Sequence, residues 1–196
     1  GKASAHYHYD SGDSGALRIE ANNLAAEAWD PRLQGLGVLA LQGAFVEDRN
    51  AALGLRGTLT VSGAPGSLDA SALKAPLSLA ALLLGDRDAL ARWPERLRYE
   101  RLTGDLTLGA EGAPQPFTLA IDDLSLTGAL QLSAEGTALT AEGRFAEGGA
   151  TFPVPEALRG MPLPVRCPQL EAGLSTCALD RAAFLKALQG GEGNAL

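Results

Sequence analysis

The chain has few of the residues that usually mark a chemical site or a membrane segment. Aromatic residues make up only 5% of the 196 positions, and the sequence holds 2 cysteines, 2 histidines and 1 methionine. Its longest apolar run, Leu77–Leu84, reaches less than half of the ~20 residues that a transmembrane helix needs. We therefore expect no transmembrane segment in this sequence and a core built mainly from leucine, alanine and valine.

Positive charge is also scarce. The formal net charge is -7 and the isoelectric point is about 4.8. Binding to nucleic acid needs a basic surface that neutralises phosphates, and binding to an anionic membrane surface needs the same. The charge balance therefore argues against nucleic acid as a partner and disfavours an anionic lipid surface.

One motif resembles a catalytic sequence. Gly12-Asp13-Ser14-Gly15 repeats the letters around the nucleophile of trypsin-like serine proteases, but it continues into Ala16-Leu17 instead of Gly-Pro. A turn of glycine, serine and aspartate between two strands accounts for these letters without catalysis. With no phosphate-binding glycine motif elsewhere, we predict that the protein is not an enzyme and uses no cofactor.

The two histidines raise the question of a metal. His6, His8 and Asp10 have the same parity on a predicted strand, and such a set can hold a divalent ion. The alternative is an edge strand that exposes its imidazoles and buries Tyr7 and Tyr9. No third histidine exists in the chain, so we predict no metal site.

What the chain does contain is a repeated strand phrase. Leu102-Thr-Gly-Asp-Leu-Thr-Leu-Gly-Ala-Glu-Gly112 returns at most of its positions as Leu126-Thr-Gly-Ala-Leu-Gln-Leu-Ser-Ala-Glu-Gly136, and Leu55–Gly63 is a looser copy. Alternation of apolar with polar or small residues is typical of strands with one buried face. The sequence holds 24 glycines and 11 prolines, spread along its length and not concentrated in one tract, which suits short strands joined by turns.

These patterns predict a mostly β fold in a single domain, 1–196. We expect a curved antiparallel sheet, a meander of similar strand pairs that forms a half-barrel, groove or sandwich, with one or two short helices. The proline-rich segment 150–178 is predicted to be an extended wrap without helix or central strand. A C-terminal helix is predicted over 180–190.

Several local predictions accompany that fold. The weak alternation of Ser67–Leu84, interrupted by Pro76, is interpreted as strand. A helix is predicted to begin at Asp86 as N-cap and to end before Pro94. One long strand is predicted over 96–110. Asp122-Asp123 is predicted to be a turn or a strand break and not a catalytic pair, because adjacent strand residues point to opposite faces and cannot converge on one atom.

The strand phrase also predicts an apolar surface. On the predicted strands its buried face carries Leu106, Leu108, Leu130 and Leu132. Such a face must be covered by a second sheet layer, by a helix or by an apolar ligand. These four leucines are the candidate lining of an apolar groove.

Two further sets are candidate structural or docking residues. Cys167 and Cys177 lie in the proline-rich region without a metal-type spacing, which favours a disulfide that closes a short loop and contributes about 2–3 kcal/mol. Such a bond indicates an oxidising compartment. Arg96, Arg98 and Arg101 form the densest charged patch, which is either a solvated strand face or a partner-docking surface.

The repeated Leu-x-Gly-x-Leu-x-Leu pattern resembles the β-rich envelope proteins of the AsmA/TamB type and the type II secretion N protein. The matching stretches are Leu55–Gly63, Leu102–Gly112 and Leu126–Gly136. Gly57-Thr-Leu59 is followed by Thr60, where the secretion protein's signature has tryptophan. The resemblance implies a β-groove shape and a location on the periplasmic or extracellular side of a bacterial envelope, with any anchor supplied by a segment outside this sequence.

The expected function is therefore a non-enzymatic envelope β-domain. It would shelter an apolar ligand such as a lipid acyl chain, or support transport of lipid or outer-membrane components. The alternative is a structural or assembly subunit of a larger envelope or secretion complex that docks through edge strands and the arginine-rich face.

Overall fold

A large antiparallel sheet forms most of the molecule. The computed structural model describes residues 2–10, 14–29, 35–51, 53–86, 88, 90–91, 93–133, 136–172 and 176–191. Among these residues, nine strands and a short tenth strand of two residues form one open sheet: β1 (Lys2–Asp10), β2 (Ser14–Ala25), β3 (Val38–Glu47), β4 (Leu55–Gly63), β7 (Leu102–Leu108), β8 (Gln115–Ile121), β9 (Leu124–Ser133), β10 (Gly136–Phe145), β11 (Leu163–Cys167) and β12 (Ala178–Leu179). They pair in the order β1-β2-β3-β4-β7-β8-β9-β10-β11-β12.

The mostly β, antiparallel fold predicted from alternation is confirmed. Each strand pairs with its neighbour in the chain, apart from β4 and β7, which are joined by an insertion. The side chains alternate between a covered and a solvated face, as in β7, where Leu102, Gly104 and Leu108 are buried while Thr103 and Asp105 are exposed. Period-two patterning therefore sets both the strands and their register.

The insertion between β4 and β7 contains a small sheet and the longest helix. Strands β5 (Gly66–Asp69) and β6 (Arg96–Tyr99) pair antiparallel, and helix α2 (Ser71–Leu83) lies between them in the chain. A single turn of helix, α1 (Ala26–Trp29), follows β2. No helix among the described residues is both long and apolar enough to cross a bilayer.

Helix α2 corrects the interpretation of Ser67–Leu84 as strand. The segment is rich in alanine and leucine, which have high helix propensity, and Leu77, Ala80 and Ala81 recur with helical spacing and are buried. Pro76 lies inside the helix, where its missing N–H removes one backbone hydrogen bond without ending the helix.

The helix predicted to begin at Asp86 is also wrong. The described residues between Leu84 and Trp93 form turns: Asp86 accepts a hydrogen bond from the backbone N–H of Asp88, and Trp93 donates its backbone N–H to Leu90. The predicted cap forms an Asx turn instead. Leu90 and Trp93 nevertheless both reach the core, as the spacing predicted.

The predicted strand over 96–110 is in fact two strands in different sheets. Strand β6 ends at Tyr99 and β7 begins at Leu102. Asp122, in the turn between β8 and β9, accepts hydrogen bonds from the backbone N–H groups of Glu100 and Arg101. These contacts give hydrogen-bond partners to the two backbone N–H groups of the link, at the point where the chain passes from one sheet to the other.

The proline-rich segment contains a strand that the proline count did not predict. Strand β11 pairs with β10, with Pro164 opposite Glu142. The carbonyl of Pro164 accepts from the N–H of Asp180, so its ring nitrogen faces the same side, where β12 pairs only with Val165 and Arg166. The N–H that proline lacks would therefore lie outside the paired part of β11 and β12, and the sheet loses no hydrogen bond between these strands.

The C-terminal helix is confirmed as α3 (Arg181–Gly191). The Asp180 carboxylate caps it by accepting from the backbone N–H of Ala183 at 3.1 Å. Phe184 is fully buried against the core. The predicted disulfide between Cys167 and Cys177 is formed and ties the end of β11 to the start of β12.

One apolar core covers one end of the sheet's apolar face. Leu102, Leu124 and Phe145 from the sheet belong to the same buried cluster as Leu77 of α2 and Phe152 of the proline-rich segment. The Trp93 indole N–H donates to the Pro153 carbonyl oxygen at 2.8 Å and fixes that segment over the sheet. The opposite end of the face receives no such cover from the described helices.

Candidate functional site

The four predicted groove leucines lie on one face of the sheet. Leu106 pairs with Phe117 on β8, and Phe117 pairs with Gly128 on β9, so Leu130 has the parity of Leu106. Leu108 and Leu132 share this parity along their own strands. The register therefore brings all four leucines to the face that carries the core.

That face divides into a covered end and an open end. Beneath α2 and the proline-rich segment, Leu102 is 5% and Leu124 is 2% exposed. Farther along the same strands, Leu106, Leu130 and Leu132 are only half-buried and do not belong to the core cluster. Three neighbours that the sequence did not single out share this state, and we call the whole set the open strip: Leu59, Leu106, Phe117, Leu130, Leu132 and Leu139.

Leu108 differs from the other three predicted groove residues. It is 8% exposed and therefore buried. Gly57 pairs with Phe45 on one side and with Leu108 on the other, and a Cβ on Gly57 would meet the Ala44 carbonyl oxygen. Leu108 therefore lies beside the open strip as a buried residue and is not part of its half-buried lining.

The glycine of the repeated phrase also belongs to this face, which the sequence analysis did not recognise. A Cβ on Gly128 would lie 2.2 Å from the Thr140 carbonyl oxygen and 2.9 Å from the Ala141 Cβ. A Cβ on Gly104 would lie 3.1 Å from Leu119 Cδ1. The repeat therefore keeps glycine where neighbouring strands and side chains occupy its side-chain volume. The shared parity of Gly and Leu in the phrase was the available signal.

A narrow crevice lies at the covered end of the face. It has a volume of about 20 Å³ and lies between α2 and the sheet. Its lining is entirely apolar and comprises Leu73, Pro76, Leu77, Leu124, Leu126, Gly143, Phe145, Leu163 and Val165. A cavity of this size holds no acyl chain.

The paired carboxylates have separate structural roles. Asp122 accepts hydrogen bonds from backbone N–H groups, whereas the side chain of Asp123 is 9% exposed and forms an ion pair with Arg159 at 3.1 Å. Arg159 also donates to the Phe152 carbonyl oxygen at 2.8 Å. The prediction that the two carboxylates do not act together agrees with this geometry, in which each one fixes a different loop.

A cavity of about 540 Å³ lies beside the small sheet and includes Val38, Ser67, Arg98 and Tyr99 in its lining. The buried polar side chain there is Tyr99, whose hydroxyl donates to the Leu36 carbonyl oxygen at 2.7 Å. Burial first, and the Asp122 charge second, raise the pKa of Tyr99 above its usual value of 10.0. A neutral tyrosine in a satisfied hydrogen bond supports the fold and offers no reactive group.

The predicted arginine patch is distributed over two elements. Arg96 and Arg98 lie on the exposed face of β6, and Arg101 is exposed in the link to β7. The Arg96 guanidinium donates to the Ser67 hydroxyl at 2.9 Å, which joins β6 to β5. Arg96 thus has a structural contact, while Arg98 and Arg101 present charge at the surface.

The remaining motif residues lie near the N-terminal edge. His6 is exposed on β1 and pairs in register with Arg18. Residues 12 and 13 of the protease-like motif lie outside the described residues, and so do the side chains of Tyr7, His8, Tyr9, Asp10 and Ser14. Within the part of the chain that the structure describes, no group of three or more His, Cys, Asp or Glu side chains converges as metal ligands would.

Comparison of the chain with models of protein families, with curated proteins and with solved structures yields no match. The resemblance to AsmA/TamB-type proteins and to the type II secretion N protein therefore stays a prediction.

Proposed function

We propose that the protein is a non-enzymatic β-domain whose open strip shelters an apolar ligand, most simply a lipid acyl chain. The observation that carries the proposal is the division of one apolar sheet face. Beneath α2 it is a close-packed core, and beyond α2 the same face continues with half-buried leucines and Phe117. Apolar surface in contact with water is unfavourable in proportion to its area, so this surface favours an apolar partner.

The dimensions of the open strip suit an acyl chain lying across the strands. The strip crosses β4, β7, β8, β9 and β10, and four interstrand spacings amount to about 19 Å. This distance is comparable to an extended long fatty-acyl chain. A fully buried CH₂ contributes about 0.8 kcal/mol, but a chain on an open face buries only one side, which predicts modest affinity and exchangeable binding.

The location we propose is the periplasmic or extracellular side of a bacterial envelope. The Cys167–Cys177 bond supports an oxidising compartment, because thiols in the cytosol are kept reduced. The Leu-x-Gly-x-Leu-x-Leu resemblance supports the same location. In that setting, the domain would hold lipid or assist the transport of lipid or outer-membrane components.

A titration with the fluorescent fatty acid cis-parinaric acid tests the proposal. Leu106→Gln and Phe117→Gln place an amide on the open strip, and each should weaken probe binding about tenfold, the equivalent of roughly 1.4 kcal/mol. Thr107→Gln and Thr118→Gln are matched controls, because these exposed neighbours lie on the opposite face of the same strands. Equal loss in strip and control variants, or no binding by the wild type, would contradict the proposal.

The second candidate function is a structural or assembly subunit of an envelope or secretion complex. It is favoured by the exposed Arg98 and Arg101 and by the unpaired outer edge of β1 among the described strands. Reversing both charges, Arg98→Glu with Arg101→Glu, should then abolish co-purification with a membrane complex from the native host and leave cis-parinaric acid binding unchanged. Unchanged co-purification would exclude docking through this face.

A further inference from the structure

Strand β1 is a long sheet edge without the features that usually prevent edge pairing. It pairs with β2 from Lys2 opposite Asn22 to Asp10 opposite Ser14, without a register shift. On its other side, no described strand pairs with it. Native edges are commonly protected by proline, by bulges or by several charged residues. Lys2 and Asp10 are the only Lys, Arg, Asp or Glu residues of the strand, and both lie at its ends.

We propose that β1 pairs antiparallel with β1 of a second copy of this chain. One register uses all nine residues of the strand, and in it His6 lies on the two-fold axis. In that register residue 2 of each copy lies opposite residue 10 of the other, so the two-fold axis creates two such pairs. These positions carry a lysine and an aspartate. Opposite charges across strands stabilise a pairing, so the ends of β1 favour this register.

The same register makes the apolar faces of the two copies continuous. Opposite residues on paired strands lie on the same face, and residue 5 of one copy is set opposite residue 7 of the other. Position 5 continues the row of Ile19, Gly43, Leu59 and Leu106, and position 7 continues the row of Leu17, Phe45 and Gly57. The two rows that run along the open strip therefore meet across the two-fold axis. The pairing itself does not depend on the proposed lipid function.

Disulfide cross-linking tests the register directly. In His6→Cys the two new cysteines are directly opposite, with Cα atoms about 4.5–5.5 Å apart, which is within the range of a disulfide. In the matched variant Ser4→Cys they are offset by four residues, or about 13 Å. Both wild-type side chains are exposed, and the native cysteines are already bonded to each other, so neither variant disturbs the core.

We expect His6→Cys to form a covalent dimer on a non-reducing gel after mild oxidation, and Ser4→Cys to stay monomeric. Equal cross-linking of both variants, or no cross-linking of His6→Cys, overturns the proposal.

Sedimentation equilibrium of the intact chain provides a second measurement that needs no new cysteine. In His6→Glu two carboxylates face each other at the two-fold axis, whereas in Ser4→Glu each faces position 8 of the other copy, a histidine. We expect His6→Glu to raise the dimer dissociation constant several-fold more than Ser4→Glu. An equal effect of the two substitutions, or a wild type that is monomeric at 100 µM, contradicts the register or the dimer.

Discussion

Two leucines on one strand give a direct test of the division between the covered and the open ends. Leu124 and Leu130 are both on β9 and on the same face, so an alanine substitution changes strand propensity equally at each. Leu124 is 2% exposed and packs within the core cluster, so Leu124→Ala leaves a cavity and should cost about 3 kcal/mol. Leu130 is half-buried and leaves no enclosed cavity, so Leu130→Ala should cost about 1 kcal/mol.

Urea unfolding of the oxidised, ligand-free protein measures both values from the shift of the midpoint at constant slope. The expected result is a difference of about 2 kcal/mol between the two variants. Equal destabilisation would mean that Leu130 is packed as tightly as Leu124, and the open strip would then be part of an ordinary core.

Three further predictions concern the glycine repeat, the disulfide and the buried tyrosine. Gly128→Ala should destabilise the protein by about 3 kcal/mol because its Cβ meets backbone, whereas Gly143→Ala should cost less than about 1 kcal/mol because the nearest atom to its Cβ would be 3.7 Å away. Thermal unfolding compares the two variants, and similar melting temperatures would contradict this reasoning. Reduction of Cys167–Cys177, which are 10 residues apart, should lower the free energy of unfolding by about 3 kcal/mol in urea titrations, and no change would mean that the bond does not restrict the unfolded chain. The pKa of Tyr99 is higher in the folded than in the unfolded chain, so the unfolded state loses this proton first and stability should fall as the pH rises above about 10. Tyr99→Phe should show a shallower decline in that range, and parallel pH profiles for the two proteins would refute the assignment.

The sequence predicted the sheet because alternation is a local property. Strands β7 and β9 and the common face of Leu106 and Leu130 follow from period two and from the repeated phrase. The burial of each leucine could not be predicted in this way, since it depends on which segments fold back over the sheet. Leu108 of β7 and Leu132 of β9 occupy corresponding positions of the repeated phrase, yet only Leu108 is buried.

The errors have a common origin in segments whose structure is set by tertiary contacts. Pro76 and weak alternation suggested strand in the segment that forms α2, although its alanine and leucine content favours helix once one face is buried. The break between β6 and β7 depends on Asp122, which is distant in sequence. Strand β11 is compatible with Pro164 only because β12 is short, and proline counting cannot reveal a partner's length.

The most direct test of the proposed function is native mass spectrometry of the protein purified without detergent from its own host. The account predicts a reproducible adduct of a mass typical of a lipid, lost on organic extraction and reduced in Leu106→Gln but retained in Thr107→Gln. A clean ligand-free mass for the wild type, or an adduct unaffected by Leu106→Gln, would contradict a lipid site on the open strip.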